Sequence, residues 1–174
     1  LHQSGITVAH SFDIRERISF YEKLCRSHGA LLFEDYEEVK GWMDWLMDTL
    51  DSMERPKCLC HIDANVDNFL FFEDGSVKLL DWEYAGMCDP VMDVSMCAIY
   101  SYYKEEDMER LFRLYLRREP SEDELFALYA NAALGGFLWC LWAVYKSILG
   151  DEFGEYTIIM YRYAKKYYRK LRKL

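Results

Sequence analysis

Apolar residues recur at helical spacing over Ser11 to His28, where Ile14, Ile18, Tyr21 and Leu24 share one face and Gly29 supplies a stop. A second helix is predicted over Tyr36 to Met53, with Val39, Met43, Leu46 and Leu50 on one side and Pro56 ending it. The period then changes. Cys58 to Cys60 is short and apolar, and Phe69 to Phe72 and Val77 to Leu80 read as strands flanking the tight turn Glu73-Asp74-Gly75-Ser76, a small hairpin. From Asp89 onward the pattern is helical again, with helices predicted over Asp93 to Tyr103 and Glu106 to Arg117. Ser121 with Glu124 three residues on is a capping box, and the helix it opens is predicted to run to Leu149, ahead of Gly150. Gly135 and Gly136 lie inside that helix, where glycine costs about 1 kcal/mol against alanine; close packing or a local bulge is expected there. A last helix, Tyr156 to Leu174, ends in lysines and arginines, which suits a helix C-terminus and is read as a solvated face. No internal repeat, low-complexity segment or linker interrupts the pattern. The expected architecture is one α+β domain over residues 1–174, mostly α-helical, with a small β-hairpin.

Composition narrows the class. The chain has 174 residues, enough for one domain with a real core, and 52% of them are hydrophobic, which excludes a disordered chain. A net charge of −9 argues against a nucleic-acid partner, whose footprint is a basic face. A nucleotide stays compatible, because a metal ion can meet its charge locally. The longest apolar run, Ala132 to Tyr145, falls short of the roughly 20 residues needed to span a bilayer. No stretch reads as a signal peptide, so no membrane insertion and a cytoplasmic location are expected. The six cysteines include Cys58 and Cys60 as C-x-C, not the C-x-x-C of a zinc site, and are expected to be reduced thiols. The sequence opens on Leu1 and not on methionine, and is expected to be a piece of a longer protein, with Leu1-His2 at the start of a helix.

The chemistry concentrates in CLCHIDANVDNFLFF, Cys58 to Phe72. His61, Asp63 and Asn68 fit H-x-D-x-x-x-x-N, the catalytic-loop pattern in which the aspartate accepts a substrate hydroxyl proton and the asparagine holds magnesium. Asn68 opens the hairpin, and the second strand ends in Leu79-Leu80-Asp81-Trp82-Glu83, which returns Asp81 beside Asn68 as a second hard oxygen ligand. Any one loop Asp or Asn commonly caps a turn through its own backbone. Asp63, Asn68 and Asp81 together, in a strand-turn-strand setting, point to function, whereas His61 is expected to brace the loop.

At this point the sequence resembles the C-terminal lobe of the aminoglycoside phosphotransferase and choline kinase superfamily, whose members have a protein-kinase-like fold. Within it the resemblance leans toward choline/ethanolamine kinases, including the bacterial enzymes that feed phosphocholine to cell-surface glycans. HIDANVDN, LLDWEYAGMCDPVMDVSM and FLWCLW carry it, over most of the chain and most strongly from His61 to Trp142. The resemblance implies ATP and Mg2+ as co-substrate and cofactor, and a choline-type hydroxyl as acceptor. It implies that Asp93 braces the catalytic loop from below, alongside a helix N-cap reading of the same residue. It also implies that Trp139 and Trp142, with Tyr84 and Glu83, receive a quaternary ammonium, which aromatic faces bind by cation–π attraction. By spacing alone, tryptophans at i and i+3 belong to a packed core as readily as to a pocket. The family's phosphate-covering loop and ATP-gripping lysine have no match here: Gly5, Gly29 and Gly41 make no G-x-G before His61. The expected partners are therefore ATP and choline or a related amino-alcohol, with this chain as one lobe. A sibling kinase for an aminoglycoside or sugar, or a non-catalytic binding lobe, are the alternatives, and the sequence leaves the oligomeric state open.

Overall fold

The structure is a computed structural model that describes residues 1–30 and 33–173. Its elements are α1 (Ile14–Ser27), α2 (Tyr36–Asp51), β1 (Cys58–Cys60), β2 (Phe69–Phe71), β3 (Val77–Leu79), β4 (Gly86–Cys88), α3 (Val91–Tyr100), α4 (Glu105–Leu116), α5 (Glu122–Ile148) and α6 (Tyr156–Leu171). The mostly helical α+β expectation holds, and each predicted element is present within a few residues at its ends. The C-terminal residue Leu174, predicted to end α6, lies outside the described residues. Leu1-His2, expected to open a helix, instead lie at a turn closed by the Ser4 amide on the Leu1 carbonyl at 2.9 Å. The first helix waits for Asp13, whose side chain caps the Arg15 and Glu16 amides. Pro56 is not what ends α2; the helix stops at Asp51, and Ser52 closes it.

The chain divides into two compact units, one formed by Leu1–Phe12 with Arg55–Leu128 and the other by Asp13–Glu54 with Tyr129–Leu174. The first unit holds all four strands. β2 and β3 form the predicted antiparallel hairpin, in the register Phe69↔Leu79, Leu70↔Lys78 and Phe71↔Val77. β1 pairs antiparallel with β4, a strand the sequence pattern did not disclose, placing Cys60 opposite Gly86. The chain near Ser11 lies along the far side of β4, with the Phe12 amide bonded to the Met87 carbonyl at 3.1 Å. Gly86 is required there, since a Cβ would come within 2.7 Å of the Phe12 amide nitrogen. α3 and α4 supply the core beneath these strands through Met92, Met96, Ile99, Met108 and Phe112, all buried.

The second unit is helical. α2 stacks on α6 through Trp42 and Tyr168, whose rings lie 4.6 Å apart and nearly parallel. Gly136 of α5 explains the mid-helix glycine: a Cβ there would come within 2.6 Å of the Met160 carbonyl oxygen, so glycine permits the close approach of α6. At the other end of α5 the capping box is formed as predicted, with the Ser121 amide on Glu124 Oε2 at 2.8 Å and the Glu124 amide on Ser121 Oγ at 3.2 Å. By length and composition α5 could cross a membrane, a point the shorter run Ala132 to Tyr145 did not reveal, but 83% of its apolar window is buried within the protein.

Candidate active site

The candidate site grows from the four residues after β1. β4 pins Cys60, and the next two amides, of His61 and Ile62, both point at one carboxylate. Asp93 Oδ2 accepts from the His61 amide at 2.8 Å and Asp93 Oδ1 accepts from the Ile62 amide at 2.6 Å. Asp93 does not cap its helix. That task falls to Asp89, which accepts from the Val91 amide at 2.9 Å and is itself held by Arg55 at 2.8 Å. Asp93 sits one turn further in, which frees both of its oxygens for the loop. Its third partner is His2, whose Nε2 donates to Oδ2 at 2.8 Å across 91 positions of sequence. Nothing in the sequence pattern signals that contact.

Ile62 is fully buried and has φ +72°. A β-branched residue in this left-handed region carries strain of order 1–3 kcal/mol, and the two amide bonds to Asp93 hold it there. The result is a sharp reversal that delivers Asp63 immediately after it. Asn68 Nδ2 donates to Asp63 Oδ2 at 2.9 Å and to the Asp63 carbonyl at 3.0 Å. Both amide hydrogens of Asn68 are thus used on Asp63, and its Oδ1 is left as an acceptor. Asn68 in turn is fixed by its own amide on the Asn65 carbonyl at 3.0 Å and by the Leu80 amide on its carbonyl at 2.9 Å. That last bond extends the hairpin ladder by one rung and sets Asp81 just past the residue opposite Asn68. Asp81 is exposed and has φ +59°, a left-handed conformation that aspartate adopts far more readily than isoleucine.

His61 is fully buried, and its Nε2 donates to the Leu80 carbonyl at 2.7 Å, tying the loop to the end of the hairpin. Trp82 packs edge-on against the imidazole at 4.8 Å and anchors its own indole N–H on the Leu79 carbonyl at 2.9 Å. Glu83 and Tyr84 follow in a turn closed by the Ala85 amide on the Trp82 carbonyl at 3.0 Å. Asn68 Oδ1 and the Asp81 carboxylate are the hard oxygen donors that suit a magnesium ion retaining phosphate and water ligands. The freed Oδ1 of Asn68 is the structural sign that the donor set fits such an ion.

Trp139 and Trp142 belong to the second unit. Their rings are 6.0 Å apart and edge-to-face. Trp139 is only 3% exposed, whereas Trp142 is partly open, packs on Phe153 at 5.0 Å and already has the Lys146 ammonium 5.9 Å from its ring centroid.

The model of the phosphotransferase enzyme family matches residues 1–128. The chain belongs to that family. The phosphotransferase chain is 25% identical to Protein LicA of Haemophilus influenzae over 167 residues, covering 91% of this chain and 48% of that protein. It is 26% identical to ethanolamine kinase 1 of Mus musculus over 151 residues, covering 71% of this chain and 42% of that one. The crystal structure of choline kinase LicA from Streptococcus pneumoniae superposes with a TM-score of 0.81 at 27% identity, over 97% of this chain and 59% of that one. A structure of LicA in complex with AMP superposes equally well. The protein-kinase-like fold is therefore that of the choline kinases. The chain spans about half the length of the curated relatives it matches.

Proposed function

We propose that this chain is the C-terminal lobe of an ATP- and magnesium-dependent kinase that phosphorylates the hydroxyl of choline or a closely related amino-alcohol. The observation that carries the reading is the Asp63–Asn68 pair. One side chain holds the other so that a carboxylate oxygen faces a substrate proton while an amide oxygen stays free for a cation. Asp63 orients the acceptor hydroxyl and takes its proton, within about 3 Å of its carboxylate. Asn68 and Asp81 hold magnesium, which supplies charge neutralisation for the phosphates when bound. His61 and Asp93 position the loop. The likeness to LicA and to ethanolamine kinase supports an amino-alcohol acceptor, and a ring that already faces an ammonium, Trp142, supports aromatic recognition of a cationic head. Tyr84, Glu83 and Trp139 remain further candidates for that role.

The single-lobe reading is supported by the hairpin. Leu70, Phe71, Phe72, Val77, Leu80 and Trp82 are all exposed, Phe71 at 78%. Exposed apolar side chains gathered on one short hairpin suit an interface, and the length of the relatives that this chain does not span is the proposed cover.

The test is phosphoryl transfer by the full-length protein with ATP and magnesium, comparing choline, ethanolamine and an aminoglycoside. Turnover of choline or ethanolamine, abolished by Asp63→Asn with the fold intact, is expected. Turnover of the aminoglycoside alone would replace the substrate class, and undiminished activity in Asp63→Asn would remove the catalytic assignment.

A further inference from the structure

His2, Cys58 and Cys60 play no direct part in that chemistry, yet their ligand atoms converge. One ring nitrogen and two sulfurs all lie within 4.8 Å of one another, the only such group of metal-ligating side chains found among the described residues. The strand period of two puts Cys58 and Cys60 on the same face of β1, with the two sulfurs 3.9 Å apart. Two thiolates bound to one tetrahedral zinc at bonds of about 2.3 Å stand about 3.8 Å apart. The two sulfurs thus already stand at the length of that edge of the tetrahedron.

The third ligand is equally prepared. His2 donates from Nε2 to Asp93, and Nδ1 accepts from the Tyr115 hydroxyl at 2.9 Å. A histidine that gives one N–H to a carboxylate and turns its other nitrogen to a metal is the usual outer-shell arrangement of metal sites. A cation held by Nδ1 displaces the Tyr115 hydroxyl and replaces the Cys60 thiol's contacts with the Cys88 and Cys58 carbonyls at 3.4 and 3.5 Å. A cavity of about 510 Å³ lined by His2, Asp93, Cys97 and Tyr115 opens on the histidine side of the group. We propose that His2, Cys58 and Cys60 form a binding site for a single thiophilic cation of the zinc class, with its fourth position open to water or an added ligand. Binding releases the two thiol protons and leaves the sulfurs as thiolate ligands. The C-x-C spacing conceals this site, because its third ligand comes from 56 positions upstream and the motif looks incomplete without it.

The test is an anaerobic titration of the purified, fully reduced protein with Cd2+, followed by thiolate-to-metal charge-transfer absorption, with Zn2+ as competitor. One equivalent is expected to bind with the intensity of two thiolates, and Zn2+ should displace it. Cys58→Ser should remove at least half of that intensity and weaken binding at least tenfold. His2→Ala should weaken binding at least tenfold while the intensity stays. Tyr115→Phe should tighten it, because the competing hydroxyl is gone. Cys140→Ser, at a cysteine of the second unit, should leave it unchanged. Circular dichroism of each variant establishes that it is folded. The absence of a charge-transfer band in the folded protein overturns the proposal. So does a band that survives Cys58→Ser undiminished, or one indifferent to both His2→Ala and Tyr115→Phe.

Discussion

Asp93 holds Ile62 in a backbone conformation that isoleucine avoids: Oδ1 accepts the Ile62 amide at 2.6 Å while φ stands at +72°. The same carboxylate also takes the His61 amide and the His2 ring. Three donors on one buried acid make it the keystone of the loop, and hydrogen bonds to a buried charge contribute about 1.5–3 kcal/mol each. Asp93→Asn, which turns one acceptor oxygen into a donor facing those groups, is expected to lower stability by about 2 kcal/mol in urea unfolding. It should also accelerate amide exchange at residues 61 and 62. Unchanged exchange there would show that the loop keeps its turn without the acid.

Asp63→Asn is expected to leave the thermal midpoint within a degree or two and to reduce kcat of the full-length protein by about 100- to 10,000-fold, the range general-base removal gives. Asn68→Ala should raise the magnesium concentration needed for half-maximal activity, since it removes both the tether of Asp63 and the free Oδ1.

The two tryptophans should separate on substitution. Trp139 is buried, so Trp139→Ala is expected to cost about 3–5 kcal/mol of stability, the usual penalty for emptying a large core site. Trp142 is partly open, so Trp142→Ala should unfold the protein far less while raising KM for choline more than KM for ATP. Equal effects on both constants would make Trp142 a packing residue.

Glu124 gives a pH signature. Its carboxyl is pulled down from 4.5 to about 2, first by the Arg118 guanidinium, against the opposing effect of burial, and then by the Ser121 amide. A depressed folded value stabilises above the ordinary one and is lost as pH falls through the folded one, here between about 4.5 and 2. Arg118 is more than half exposed, so solvent screening cuts the ion pair's worth. Glu124→Gln should cost about 1 kcal/mol at pH 7, and the gap between the two proteins should shrink toward pH 2.

Gly136→Ala tests the close approach of α6. Alanine favours an isolated helix by about 1 kcal/mol, but the 2.6 Å approach to the Met160 carbonyl leaves the new methyl no room. Overpacking of this kind costs about 1–3 kcal/mol, so chemical denaturation should show a net loss.

Much of this was legible in the chain. Helices with clean apolar stripes, the capping box and the hairpin turn are local, and local patterns fixed them to within a few residues. The H-x-D-x-x-x-x-N spacing put Asp63 and Asn68 on one loop, where Asn68 Nδ2 donates to Asp63 Oδ2. Three things were hidden. β4 is a three-residue Gly-Met-Cys segment with no alternation to read, and its pairing with β1 is a tertiary choice. Ile62 gives no hint of positive φ, because the force that holds it lies on another helix. His2 meets Asp93 only because the fold closes 91 residues of chain.

The exposed hairpin has a consequence in the test tube. Its two short strands form a sheet of their own, so both outer edges keep backbone groups unsatisfied by a neighbouring strand, and bare phenylalanines surround them. Open edges beside apolar side chains recruit further strands. The chain handled alone should therefore sediment as species that grow with concentration, and Phe71→Lys, a charge set on that ribbon, should return it to a single boundary.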